Sequence, residues 1–160
     1  MQPPKRVLYF AYGSNLSKAA MRLRAPGSEP LVAARLDEHR LTFESNEPPE
    51  RTPSFFPNVR PQGASSVAGA VYRLTEDDLV ALDAYEDVAA GVYERALVEV
   101  ACEDGTRRSA VVYRMAVDDD APQSGAPSAR ILSEMRAGYA EWGLDATAID
   151  RALRPKHGSR

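Results

Sequence analysis

The chain has one cysteine, Cys102, and two histidines, His39 and His157, in 160 residues. A single cysteine excludes an internal disulfide framework and fits a reducing compartment, so a cytoplasmic location is expected. The histidines are spaced as ligands neither with each other nor with Cys102, and no loop of alternating aspartates supplies oxygen ligands. Neither a metal site nor a cofactor is therefore predicted. A histidine-assisted nucleophile would have to use His39, which sits among charges beside Arg40 and reads as a solvated surface residue. Basic charge is not in excess either: 20 Lys and Arg against 23 Asp and Glu give a net charge of -3. That lacks the electrostatic footprint of a nucleic-acid-binding domain. No apolar run approaches the roughly 20 residues of a membrane span, and the stretch after MQPPKR is too short for a secretory signal. Carboxylates, tyrosines and backbone remain to carry any chemistry.

What is present suits a globular protein. At 17.5 kDa, with 44% hydrophobic and 27% charged residues, one domain is expected over residues 1–153, with 154–160 as a tail. Val7 to Tyr12 is nearly all apolar and predicts a strand covered on both faces. Ser14 or Asn15 can cap a helix running to about Arg24, before Pro26-Gly27. Leu31 to Ser45 reads as one bent strand or two. The five prolines between Asn46 and Ser66 predict a long irregular loop, with Phe55 and Phe56 packing part of it down. A strand is expected over Val67–Leu74 and a helix capped by Thr75 after it. Val92 to Asp104 reads as a strand placing Val98, Val100 and Cys102 on one face, Asp104-Gly105 as a hairpin turn, and Arg107 to Val117 as its partner. A polar loop to Pro127, an amphipathic helix over Ser128–Trp142 and a short helix over Ala146–Leu153 complete the pattern. The order predicts an α+β fold, a small mixed β-sheet curled into a barrel with flanking helices.

Two segments are chemically informative. In the first, VLYFAYGSNL, a strand stops abruptly in Tyr12-Gly13-Ser14-Asn15. This is either a plain strand-to-helix turn or a loop whose backbone N–H groups hold an anion. In the second, LDAYEDV, Asp83, Glu86 and Asp87 crowd the C-terminal end of a helix, where negative charge is disfavoured. It is either an inert solvated helix end or the seat of a carboxylate with a raised pKa, able to take and return a proton near neutral pH.

In combination these segments resemble the γ-glutamylcyclotransferase-like family. That family's strand ends in Y-G-S-N-L, as at Tyr12–Leu16 here. Its catalytic glutamate lies in L-D-x-x-E-x-V followed by G-x-Y, matched by Leu82–Val88 and Gly91–Tyr93. AVVYRM, with Tyr113, matches the tyrosine-bearing strand near its C-terminal third. The resemblance extends from about Val7 to Asp145. It implies release of 5-oxoproline from a γ-glutamyl compound by intramolecular aminolysis, with Glu86 as general acid and base. Tyr9, Phe10, Ala11, Tyr12, Gly13, Ser14 and Asn15 would form the pocket floor, and Tyr93 and Tyr113 would line it. Neither metal nor cofactor is implied, and the partner would be a small γ-glutamyl molecule, not nucleic acid or membrane. A homodimer is compatible with the sequence but not indicated by it. At P-S-x-x-Y, where relatives commonly carry a substrate-contacting tyrosine, this chain has Pro127-Ser128-Ala129-Arg130-Ile131. Ile131 cannot donate that hydrogen bond, which opens the leaving group to amines or larger carriers. The alternatives are a non-catalytic ligand- or protein-binding module on the same fold, and a hydrolase in which Glu86 activates water.

Overall fold

The computed structural model describes residues 5–47, 53–116 and 123–154. Its strands are β1 (Val7–Ala11), β2 (Glu29–Ser45), β3 (Phe56–Leu74), β4 (Tyr93–Cys102), β5 (Arg107–Met115) and the two-residue β6 (Gln123–Ser124). They are joined in the order β3-β1-β5-β4-β2-β6, and β2 also pairs with β3, so the first five close into a barrel. β1 lies antiparallel to β3 and parallel to β5, which makes the sheet mixed. Helices α1 (Lys18–Arg24), α2 (Glu76–Tyr85), α3 (Ala129–Trp142) and α4 (Thr147–Leu153) flank it. None of the described helices is long and apolar enough to cross a membrane.

Strand alternation builds two cores. Phe10, Leu36, Val59, Val67, Val71, Val100, Cys102 and Val112 form one cluster, made of strand residues that face one another across the closed sheet. The opposite face presents Tyr9, Tyr72 and Tyr113, which pack with Leu16, Met21, Leu82, Met135, Tyr139 and Ile149 from the helical layer. The expected Asp104-Gly105 turn joins β4 to β5, and Gly105 adopts φ 88, a conformation that glycine takes without steric cost.

Two expectations are corrected. The supposed loop from Asn46 to Ser66 yields half its length to β3, which begins at Phe56 and pairs with β2 as far as Glu44. Pro57 and Pro61 sit opposite Phe43 and His39 in that pairing. A proline removes a ladder donor, and the side chain of Asn58 supplies bonds nearby. Asn58 Oδ1 accepts from the N–H of Met115 at 2.8 Å, and its Nδ2 donates to Glu44 Oε2 at 2.9 Å. The pairing shifts register between Asp37 and His39, where Glu38 adopts φ 60, and the long hairpin is irregular at that point. Within the predicted polar loop, residues 117–122 lie outside the described residues, as do 48–52 and most of the C-terminal tail.

The second correction concerns the first helix. Neither Ser14 nor Asn15 caps it. Ser14–Leu16 form a single 3-10 turn, and Ser17 caps α1 by accepting from the N–H of Ala20 at 3.2 Å. The side chains of Ser14 and Asn15 are thereby free for other partners.

Candidate active site

A cavity of about 230 Å³ opens where the end of β1, the end of α2 and the start of β3 meet. Its wall includes Tyr9, Tyr12, Gly13, Ser14 and Asn15 from the first segment and Tyr85, Glu86 and Asp87 from the second. Tyr93, Tyr113, Val92, Phe56, Pro57 and Ile131 complete it. Gly13 explains how the wall closes: a Cβ there would lie 3.1 Å from Pro57 Cγ, tighter than ordinary packing. The absent side chain lets β3 lie directly against the turn. Leu16 N–H bonds to Gly13 C=O at 3.0 Å and Ser17 N–H to Ser14 C=O at 3.2 Å. The N–H groups of Ser14 and Asn15 begin the turn, and a helical turn has no internal acceptor for its first donors.

Glu86 is the residue that ends α2. Its N–H still bonds to Leu82 C=O at 2.8 Å, and Asp87 then enters the left-handed region at φ 51. The chain reverses there, which leaves the Glu86 carboxylate on the cavity wall. Burial pushes its pKa up to about 7, with Arg24 opposing that shift and Asp87 adding to it. The crowding of Asp83 against Glu86 inferred from sequence plays little part. Asp83 turns away to Arg95 and to the hydroxyl of Tyr113, which donates to it at 2.7 Å. Burial acts to raise the Asp83 carboxyl, but these bonds outweigh it and hold Asp83 below the usual range.

The tyrosines divide by where their protons go. Tyr12 donates to Tyr113 C=O at 2.6 Å, Tyr93 to Pro57 C=O at 2.6 Å, and Tyr113 to Asp83. Carbonyl and carboxylate oxygens can only accept, so these three phenols present lone pairs, not hydrogens, to any further partner. Tyr9 is the opposite case. It accepts from Asn15 Nδ2 at 2.9 Å and keeps its own hydrogen. The cavity therefore combines acceptors suited to an amine with a carboxylate whose pKa is raised to about 7 and a turn suited to an anion.

This geometry coincides with a family pattern. A family model described as γ-glutamyl cyclotransferase, AIG2-like, matches residues 9–133. The chain belongs to that family. The γ-glutamylcyclotransferase of Mus musculus is 30% identical over 125 residues, covering 77% of this chain and 66% of the relative. The Homo sapiens γ-glutamylcyclotransferase is 30% identical over 119 residues, covering 73% and 63% respectively. The match thus spans slightly under two thirds of the length of these relatives. A solved γ-glutamyl cyclotransferase superimposes with a TM-score of 0.81 at 26% identity, over 98% of this chain and 93% of that one.

Of the residues that the family resemblance nominates, Tyr9, Tyr12, Gly13, Ser14, Asn15, Glu86, Tyr93 and Tyr113 line the cavity together. Phe10 and Ala11 do not. Phe10 belongs to the strand-built core and stacks on Tyr12, and Ala11 is fully buried on the helix side. Alternation along β1 turns Phe10 away from the face of Tyr9, whereas Ala11 shares that face but is fully covered by the helical layer. Ser14 Oγ bonds to Arg24 at 3.2 Å, not to a base that would make it a nucleophile. Sequence reasoning missed Phe56 and Pro57, hidden in the misread loop, and it missed Arg24. The signal for Arg24 is visible only with the fold known: it ends α1, the separate helix that follows the turn. Arg130 is exposed and pairs with Glu134. Among the described residues no group of three or more His, Cys, Asp or Glu is placed to hold a metal.

Proposed function

We propose that this protein is an enzyme that releases 5-oxoproline and a free amine or amino acid from a γ-glutamyl compound. The observation that carries the reading is a carboxylate with a pKa of about 7 on the wall of a cavity with acceptors on one side and a backbone turn on the other. A γ-glutamyl group holds both reacting atoms, its α-nitrogen and its γ-carbonyl carbon. The α-ammonium loses one proton to solvent and attacks the carbonyl carbon, forming the ring C–N bond. Glu86 takes the second proton from that nitrogen as the carbonyl oxygen becomes an oxyanion. Collapse breaks the bond to the leaving nitrogen, and Glu86 returns the proton there. No electrons are transferred and no co-reactant is consumed. Holding such a chain folded on itself contributes up to about 7–11 kcal/mol, and a general acid and base adds roughly 10²–10⁴-fold. The N–H groups of Gly13–Asn15 serve the α-carboxylate or the oxyanion. Tyr93 and Tyr113 offer acceptors to the amine.

The test is a panel of γ-glutamyl amines and γ-glutamyl amino acids incubated with the wild type and with Glu86→Gln, with products read by mass spectrometry. The expected result is 5-oxoproline from the wild type and at least a hundredfold less from the variant, with ligand binding retained. Glutamate as the product would replace cyclisation by hydrolysis. Binding without any product would make the fold a binding module here.

A further inference from the structure

Arg24 is the least explained charge near the cavity. It is the last residue of α1, its side chain is only 12% exposed, and it does not itself line the wall. One of its nitrogens, Nη1, donates to Asn15 Oδ1 at 2.7 Å and to Ser14 Oγ at 3.2 Å. The other, Nη2, donates to Glu134 Oε2 on α3 at 2.9 Å, and the guanidinium stacks 4.2 Å from the centre of the Tyr85 ring on α2. Elements on three sides thus hold one guanidinium against the turn that carries Ser14 and Asn15.

The consequence lies in Asn15. A carboxamide has two nearly isosteric orientations, with donor and acceptor ends exchanged. Arginine has only donors, so the contact at 2.7 Å fixes the oxygen toward Arg24. The NH₂ end must then face the other way, where it lies 2.9 Å from the Tyr9 hydroxyl and 3.4 Å from Glu86 Oε1. Reversal would set donor against donor at Arg24 and oxygen against carboxylate at Glu86. With the orientation fixed, Tyr9 must accept from Asn15 and so directs its own hydrogen elsewhere.

We propose that Arg24 is a positioning residue, which fixes the Asn15 carboxamide and through it the Tyr9 hydroxyl and the Glu86 carboxylate in the arrangement that ring closure needs. The assignment rests on the cyclotransferase reading for its consequence in turnover, but not for its geometry. The electrostatics agree with it. The groups that face Glu86 are Arg24 from α1, Asp87 beside it in the chain, Asn15 from the turn, and the phenols of Tyr9, Tyr12, Tyr93 and Tyr113. Among the described residues Arg24 is the one cation acting on it, and it counters the upward pull of burial.

A simpler role would be a clamp between α1 and α3 through the ion pair with Glu134. Three variants separate the two: Arg24→Gln, Arg24→Lys and Glu134→Gln. Positioning predicts that Arg24→Gln lowers kcat at least tenfold with a smaller change in KM, and moves the acid limb of the rate profile to higher pH. Arg24→Lys keeps the charge but loses the planar fork, so it should restore the limb and only part of kcat. In an Asn15→Ala background, Arg24→Lys should cost little more, because the shared step is already lost. A clamp predicts instead that Arg24→Gln and Glu134→Gln lose stability alike with the limb unmoved, and that result would overturn the proposal. If Arg24→Gln does not fold, Arg24→Lys and the Asn15 cycle decide. The Glu86 carboxyl titration and the Asn15 side-chain amide signals, followed by NMR, need no turnover. A wild type that releases no 5-oxoproline would sink the proposed function, while an upward shift of the Glu86 midpoint in Arg24→Gln would still uphold the role of Arg24. An unshifted midpoint with unchanged Asn15 signals would remove it.

Discussion

The hydroxyl of Tyr113 donates to Asp83 Oδ1 at 2.7 Å, and Arg95 grips the same carboxylate with two bonds of its own, from Nε to Oδ1 and from Nη2 to Oδ2. Tyr113 sits on β5 and Asp83 on α2, one helical turn before Glu86. The bond therefore fixes a cavity phenol and ties α2, which carries Glu86, to the barrel. It also commits the phenolic hydrogen, so that Tyr113 meets a ligand as an acceptor. Burial, with Asp83 second, raises the phenol well above its usual range, which keeps it un-ionised throughout the working pH.

From that pair comes a coupling prediction. Tyr113→Phe and Asp83→Ala should each lower kcat/KM for 5-oxoproline release about tenfold. The double variant should be no more than about threefold worse than either, since residues in one network lose the same interaction once. Fully multiplicative losses would show that the two act separately.

Glu86 gives a prediction with a definite sign. Its folded pKa of about 7 lies above the ordinary glutamate value of 4.5. Between those values the folded state binds more protons than the unfolded one, so this group's contribution is fully present below about pH 4.5 and is lost as pH rises through 7. Glu86→Gln should therefore match the wild type in stability near pH 4 and exceed it near pH 8, by on the order of 3 kcal/mol. Denaturant unfolding at both pH values checks this. In the wild type kcat/KM should show an acid limb with a midpoint near 7, because the base form must be empty of its proton. Equal stability of the two proteins at pH 8 would mean that Glu86 is not held in its raised state.

How far the sequence could have carried the fold depends on where the information resides. The local patterns were legible: Thr75 caps α2 with a reciprocal bond from Asp78, and Ser128 caps α3. The barrel and the pairing of the Y-G-S-N-L turn with Glu86 were legible through the family motifs. The start of β3 was not, because Pro57 and Pro61 are local vetoes that only a tertiary substitute such as Asn58 can override. Phe10 and Ala11 were included with the pocket because the motif is contiguous, whereas alternation turns Phe10 to the other face and packing buries Ala11 completely. Arg24 is separated from Asn15 by a change of helix type, and no periodicity reveals that contact.

Gly69 offers a test of the barrel itself. It lies in β3 opposite Ala34, on the side where β1 approaches. A Cβ there would stand 2.3 Å from the carbonyl oxygen of Ala11 and 2.6 Å from Phe10 Cζ. Backbone cannot yield as a flexible side chain does, so Gly69→Ala should cost about 3 kcal/mol or more, at the high end of overpacking. Because β1 leads directly into the turn at Gly13, activity should fall with it. Denaturant unfolding gives the first quantity, and a loss below about 1 kcal/mol would mean that β1 and β3 can separate locally without harm.

The outer wall of the cavity bears on the leaving group. Glu86 and Asp87 are its charged members among the described residues, and Ile131, Phe56 and Val92 are apolar. A leaving amino acid carries a carboxylate beside the scissile nitrogen, and that wall supplies it with acid and hydrocarbon, not with a cation. A leaving amine without that carboxylate avoids both the repulsion and the unpaired charge. Wild-type kcat/KM should therefore favour γ-glutamyl amines over γ-glutamyl amino acids of similar size by tenfold or more. Ile131→Tyr would place a hydroxyl on the same wall from α3, whose N-cap at Ser128 it leaves untouched. A new hydrogen bond worth about 1 kcal/mol should improve amino-acid substrates roughly fivefold and leave amines nearly unchanged. Competition between one amine and one amino-acid conjugate, read by the two released products, measures both numbers at once. A wild type that prefers the amino-acid conjugate would show that its carboxylate finds a partner elsewhere, and the charge on this wall would then not govern selection.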